Sequence, residues 1–355
     1  MMLIEPLIDK IEWDRFIEGT AGGTFFHTQK WIELLERHFH CEALSLLIRN
    51  TNDELIGVCP FLNCEKSWPF RALDSLPESE GFGGPVIMEQ YKIEASTALK
   101  DYLKTYSSNN GITYSILNIY DKDLCDNLFL KGSVLNLNMG NMILNLKEKP
   151  SEHIWNNIFD HKQRKYIRRF DQDGFVTLRA RGEDDLAKFY SLWSQNMRQK
   201  GIVPKSFRFF KDIFSTLYPE NIDVILMENE DKCIGAGLCF IYPKKNSIHL
   251  AGVGLDKNVS SRYKIYYKLR WDTIEFATKN DLYNVYFGPT NADISSTNYS
   301  MKESFGATFY QNYCLTMPFN QRLCSMRNYA FTLGRKIKTV VPSSSSFMDR
   351  FSGNF

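Results

Sequence analysis

A chain of 355 residues, 43% hydrophobic and 14% aromatic with only 12 prolines, exceeds one ordinary core and suits two folded domains with little disorder. Its 43 basic residues stand against 41 acidic ones, so overall charge does not draw it to nucleic acid or membrane, and any anion site must be local. The eight cysteines form no CxxC pair and have no histidine at metal-ligand spacing, which predicts reduced, mostly buried thiols in a cytoplasmic protein and no metal site.

The N-terminal stretch MMLIEPLIDKIEWDRF has acids where an export signal needs a basic start, and no segment reaches the roughly 20 apolar residues of a membrane span. From Phe25 to Phe39, Trp31, Leu34, Leu35 and Phe39 recur at helical spacing behind a Thr28 cap. A hairpin follows from Leu44 to Phe61, turning at Asn50 to Glu54, and then a glycine-rich break, EGFGGPVIM. Pro150 and Ser151 open a helix carrying Ile154, Trp155, Ile158 and Phe159, predicted to continue through HKQRKYIRRF to Gly174 and to bridge two lobes.

The second half repeats the order of the first. A helix spans Asp184 to Lys200 and stops at Gly201; Ser206 caps a shorter one to Leu217; a second hairpin runs from Ile222 to Ile241 with its turn at Glu228 to Asp231. LIRNTNDELIGVCPFL and LMENEDKCIGAGLCFI share the polar turn and the Ile-Gly after it, which points to an internal duplication. The predicted organisation is a lobe at 1–150, a lobe at 151–340 and a Ser-rich tail at 341–355.

Three segments carry candidate chemistry. Lys162, Arg164, Lys165, Arg168 and Arg169 place five cations in eight residues, either a phosphate-sized anion site or a solvated helix face. Residues 257–264 read as a loop feeding a helix N-terminus, where Ser260, Ser261, Arg262 and Lys264 either hold a phosphate or form a polar cap. In YFGPTNADISSTNYSMKESFGATF a strand ends at Phe287, turns at Gly288 and Pro289, and leads to Lys302, which lies at a cleft mouth or on an exposed turn. His161 and His249 read as structural, and no GxSxG element is present.

RKYIRRFDQDG, MRQKGIVPKSFRFF, and YFGPT followed by MKESFGA resemble motifs of the FemAB family of acyltransferases, and the order of pieces resembles it over roughly the whole chain. The resemblance implies an α/β (α+β) fold of tandem duplicated GNAT-like lobes, each a mixed sheet flanked by helices. It implies Arg164 at an acceptor phosphate and Lys302 at the reacting acyl group, and Lys165, Arg168 and Gly288 are expected to join Arg164 in binding substrate. Tyr286, Pro289 and Met301 depart from the family's pattern. The implied reaction moves an acyl or aminoacyl group to an amine, and needs alignment and oxyanion stabilisation rather than a bound cofactor. Acyl-CoA, held at residues 257–264, is the expected donor and aminoacyl-tRNA the alternative; the expected acceptor is an amine, with a cell-envelope or nucleotide-linked precursor bearing a phosphate or amine as one candidate. A basic run from Arg322 to Lys338 suggests peripheral contact with an anionic membrane at its inner face or a helix covering a lobe. DNA is not an expected partner, and the sequence does not fix an oligomeric state. The competing classes are a non-catalytic binder of anionic ligands and, from Tyr263, Tyr266 and Tyr267 among basic residues, an RNA-binding protein.

Overall fold

Each predicted hairpin forms with the same irregularity. In the computed structural model, which describes residues 2–67, 70–230, 232–326 and 329, Ile48 faces Gly57 and Arg49 faces Leu55, so Ile56 is a bulge. In the second copy Met227 faces Gly235 and Glu228 faces Cys233, so Ile234 is the bulge. The shared Ile-Gly is therefore a bulge residue followed by a glycine on the next rung, and the duplication is structural.

The chain divides into two compact units. Among the described residues, the first comprises those up to 137 together with those from 312 onward. It contains β1 (Leu3–Pro6), α1 (Lys10–Gly19), α2 (Gln29–Phe39), β2 (Glu42–Arg49), β3 (Leu55–Ser67), β4 (Phe70–Asp74), β5 (Val86–Ile87), α3 (Lys92–Asn110), β6 (Tyr114–Ile119), α4 (Lys122–Leu128) and β7 (Val134–Asn136). The second unit, residues 138–311, contains β8 (Met139–Asn145), the one-turn α5 (Ser151–His153), α6 (His161–Gln172), β9 (Val176–Arg179), α7 (Glu183–Gln199), α8 (Phe207–Leu217), β10 (Ile222–Asn229) and β11 (Lys232–Tyr242). It continues with β12 (Ser247–Leu255), α9 (Lys257–Tyr263), α10 (Ile265–Lys279), β13 (Asn284–Asn291), α11 (Thr297–Glu303) and β14 (Thr308–Gln311). A final strand, β15 (Tyr313–Pro318), returns to the first unit.

These boundaries differ from a division after residue 150. β8 lies between β13 and β14 in the second sheet, whose order is β14-β8-β13-β12-β11-β10-β9. β15 lies between β6 and β7 in the first, whose order is β1-β2-β3-β4-β6-β15-β7 with β5 on β3. Pro150 marks a turn inside the second unit, and the predicted tail at 341–355 falls outside the described residues.

Both sheets are mixed. A run of antiparallel strands meets one parallel partner, β4 with β6 and β12 with β13. Thr28 caps α2 and Ser206 caps α8 as predicted, each hydroxyl accepting the amide three residues on. The helix expected from Pro150 to Gly174 is instead broken. A π-helical turn covers Ile154–Ile158, and Asp160 starts α6 afresh through a capping box with Gln163. Both pieces belong to the second unit, so they do not form the predicted bridge.

The second unit's core, from Ile225, Ile248, Val285 and Phe287 to Ile167, Phe170, Leu269 and Ile274, packs α6 and α10 against one face of the sheet. Of the cysteines, Cys59, Cys125 and Cys239 are buried, and burial raises all three thiols.

Candidate active site

β12 and β13 are parallel but share only three rungs, Ser247 with Asn284, Ile248 with Val285 and His249 with Tyr286. Both strands run on, to Leu255 and Asn291, without pairing again, and so open a fork in the middle of the sheet. A bulge begins the divergence on β12, where Leu238 faces Gly252 and Cys239 faces Leu250, leaving Ala251 unopposed. At the outer end of the fork, Asn196 of α7 substitutes for a strand partner: its amide nitrogen donates to the Leu255 carbonyl at 2.9 Å and its oxygen accepts the Leu255 amide at 2.8 Å. Val253 lies two residues back on the same edge, so its backbone groups face the open fork. This exposed strand edge is suited to a ligand chain that hydrogen bonds as a strand does.

The corresponding parallel pair in the first unit is closed by its own chain. The Ser75 amide donates to the Ile116 carbonyl at 2.8 Å, and the Asn118 amide donates to the Ser75 hydroxyl at 3.0 Å. Gly84 crosses so near that a β-carbon there would lie 1.9 Å from the Asn118 carbonyl oxygen, and the carbonyl of Gly84 is held by His27 Nε2 at 3.1 Å. Only the second fork is left available to a ligand.

On the other tine, β13 does not end at Phe287 as expected but passes through a bulge at Gly288 and continues to Asn291. Gly288 adopts φ +76°, a backbone state glycine reaches without strain. Lys302 lies neither at a cleft mouth nor on an exposed turn. It is buried, and its Nζ donates to the carbonyls of Gly288 at 3.0 Å and Pro289 at 2.9 Å and to Thr290 Oγ1 at 2.8 Å. Three donors on three acceptors make it a clamp that shapes the tine.

The basic helix divides its cations. Arg164 is half-buried, and its Nη1 donates to the carbonyls of Trp155 at 2.9 Å and Phe159 at 2.7 Å, closing the π-helical turn. Lys162, Lys165 and Arg168 are exposed, with Arg168 over the Trp155 ring at 5.3 Å. Arg169 pairs with Asp173 at 3.0 Å and stacks on Tyr263 at 4.9 Å.

The predicted phosphate loop at 257–264 is a helical turn, α9. Its first free amides, those of Asn258 and Val259, are taken by the Asp256 carboxylate, and Ser261 donates to the Asn258 carbonyl. Arg262 stacks on Tyr263 at 5.2 Å, and Lys264 adopts a left-handed conformation between α9 and α10. Tyr263 is thus shared by Arg169 of α6 and Arg262 of α9, which merges two sequence motifs into one basic and aromatic patch beside the outer end of β12.

At the closed end of the fork, the rings of His249 and Tyr286 stack at 3.9 Å. Burial lowers the His249 imidazole to about 3 and raises the Tyr286 phenol to about 12, so both are neutral near pH 7. In the unfolded chain the imidazole protonates below about pH 6.5, so the neutral buried histidine weakens the fold as pH falls from there toward 3. This amounts to roughly 2 kcal/mol by pH 5. Urea titrations of the wild type and His249→Phe at pH 7 and 5 should show the variant losing less stability on acidification; equal losses would remove His249 as the cause. A cavity of about 230 Å³ between β8, β13 and β14 includes Tyr286 in its lining and lies beside the closed end, away from the opening. Among the described residues, no three His, Cys, Asp or Glu side chains cluster to hold a metal ion.

Residues 159–299 match the family model described as Acetyltransferase (GNAT) domain, a span that contains the fork, α6 and α10. No curated protein sequence matches the chain significantly. Among solved structures, FemX is similar at TM-score 0.71 and 13% identity, covering 92% of this chain and 99% of its own. A tandem GNAT protein from the clavulanic acid biosynthesis pathway is similar at 0.57 and 8%, covering 90% and 99%. The C-terminal domain of a putative lysylphosphatidylglycerol synthetase from Agrobacterium fabrum is similar at 0.54 and 9%, covering 87% and 90%. Residues 159–299 thus carry a match to the GNAT acetyltransferase domain, and over most of its length the chain has the fold of FemX and of the tandem GNAT protein, two GNAT-like lobes.

Proposed function

We propose that this protein is an acyltransferase that moves an acyl or aminoacyl group from an activated donor, acyl-CoA, to an amine of a cell-envelope or nucleotide-linked acceptor. The observation that carries the reading is the open β12–β13 fork inside the matched acetyltransferase domain. A pantetheine arm has two amides spaced along an extended chain, and the free edge at Val253 offers them a strand's pairing. The donor's phosphates then fall at the outer end of β12, beside Ser260, Arg262 and Lys264, with Arg168 and Lys165 of α6 extending the positive surface. The acceptor nitrogen attacks the thioester carbon; a C–N bond forms, the C–S bond breaks, and the departing sulfur takes up the proton the nitrogen loses, giving an amide and a free thiol. Lys302 acts in this reading by fixing the bulge that sets the width of the fork.

A second reading rests on the arginines lying over Trp155 and Tyr263, a pattern that also suits an aminoacyl-tRNA end. Peripheral contact with an anionic membrane from the cytoplasmic side belongs to the same proposal. Among the described residues no helix is long and apolar enough to cross a membrane, and most of the basic run from Arg322 to Lys338 lies outside them.

The test is a panel of acyl-CoAs with amine acceptors, read by thiol release and amide formation, beside a panel of aminoacyl-tRNAs. Thiol release matched by amide supports the acyl-CoA reading. Transfer from tRNA alone supports the second. Donor binding with no transfer across both panels makes the protein a binding module.

A further inference from the structure

The helix α10 is buried on most sides, and its buried polar groups find partners with one exception. Asp272 meets Lys268 at 3.0 Å and the Thr177 hydroxyl at 2.7 Å; Thr273 donates to the Leu269 carbonyl at 2.9 Å. Arg270 does not fit this pattern. It is only 5% exposed, its Nε has no acceptor, and its one hydrogen bond runs from Nη1 to the Tyr266 carbonyl at a long 3.4 Å. By contrast, Arg164, Arg169 and Arg179 of the same unit hold carbonyls or carboxylates.

A guanidinium is charged in any protein at neutral pH, and burying it without a counterion is unfavourable. Burial pushes Arg270 down to about 10, still protonated near pH 7. The fold thus carries a desolvated cation without its anion. Its location is specific: the guanidinium carbon lies 5.9 Å from the ring of Phe287, the first residue of β13 beyond the last rung shared with β12. One turn earlier on α10, Tyr266 and Tyr267 lie with ring centroids 4.4 Å apart, and burial raises the Tyr266 phenol, which keeps it a neutral hydrogen-bond donor.

We propose that Arg270 is a carboxylate-recognition residue at the base of the fork, taking a substrate carboxylate on its guanidinium with phenol donors beside it. A single guanidinium lying over the apolar ring of Phe287 matches one negative charge presented by a planar group. The dianionic phosphates are better served by the exposed cations of α6. The carboxylate has two sources: the donor's acyl chain, if it is a dicarboxylic half-thioester, or an amino-acid acceptor. The inference rests on the fork being a substrate site, but binding reports it without turnover, so its failure is separable from failure of the acyl-transfer reading.

The experiment compares wild type with Arg270→Met, which keeps the length and removes the charge. Without ligand, the variant should melt at or above the wild-type temperature, because the buried charge has no partner to lose; a clear drop would mark a structural arginine and overturn the proposal. With ligand, one arm titrates succinyl-CoA against acetyl-CoA, and the other titrates free amino acids against their amides. In one arm the wild type should favour the carboxylate by about tenfold or more, as for a charge-assisted pair, and Arg270→Met should abolish that preference. Absence of a carboxylate preference in both wild-type arms, or one that survives in the variant, overturns it.

Discussion

Lys302→Met should lower the thermal midpoint by roughly 6–12 °C, the equivalent of about 3 kcal/mol in a unit of this size. The lysine is 4% exposed, and its ammonium holds the Gly288 and Pro289 carbonyls and the Thr290 hydroxyl. Methionine fills a similar volume but donates nothing, so the Pro289 carbonyl loses its ammonium partner and the Gly288 carbonyl keeps only the Thr290 hydroxyl, at 3.2 Å. Turnover should fall about a hundredfold even at temperatures where the variant stays folded, because a tine that relaxes by an ångström misplaces the reacting carbonyl. Normal kcat/KM in folded Lys302→Met would show that the clamp has no part in the chemistry. A melting temperature within a degree or two of wild type would show that the three bonds are not formed in solution.

Gly288→Val should cost about 2 kcal/mol, because a β-branched residue is forced to φ +76° or the bulge is lost. The same bulge turns the Gly288 carbonyl toward Lys302, so the two substitutions share one structural device. A double-mutant cycle should therefore be non-additive, the second change costing markedly less than it does alone. Additive losses in stability and turnover would mean that the glycine and the lysine act separately.

The hairpins were legible because alternation, a polar turn and the Ile-Gly bulge all lie within a short stretch, and the same holds for the caps at Thr28 and Ser206. Which sheet a strand joins was not. β8 and β15 are short apolar strands whose partners, Val285 and Ile119 among them, lie far along the chain, and no local pattern marks that choice. The cations divide in the same way. Composition located the run from Lys162 to Arg169, but only the fold shows Arg164 turned onto the Trp155 and Phe159 carbonyls while Lys165 and Arg168 face outward.

Lys302 was found by its resemblance to a family motif, and its burial came as a correction, since Met-Lys-Glu-Ser alone looks like surface. Asn196 and Arg270 were missed. Arg270 left one trace, sharing a helical stripe with Tyr266, Thr273, Ile274 and Ala277, where a charge needs a reason.

The claim that the open fork of the second unit takes the acyl donor is tested most directly by the structure of the protein bound to an acyl-CoA or a non-hydrolysable analogue. The pantetheine arm should lie between β12 and β13, paired to the edge at Val253, with the thioester carbon toward the His249–Tyr286 rung and the phosphates toward α9. A donor bound with the fork empty, whether at the cavity between β8, β13 and β14 or in the first unit, would contradict it.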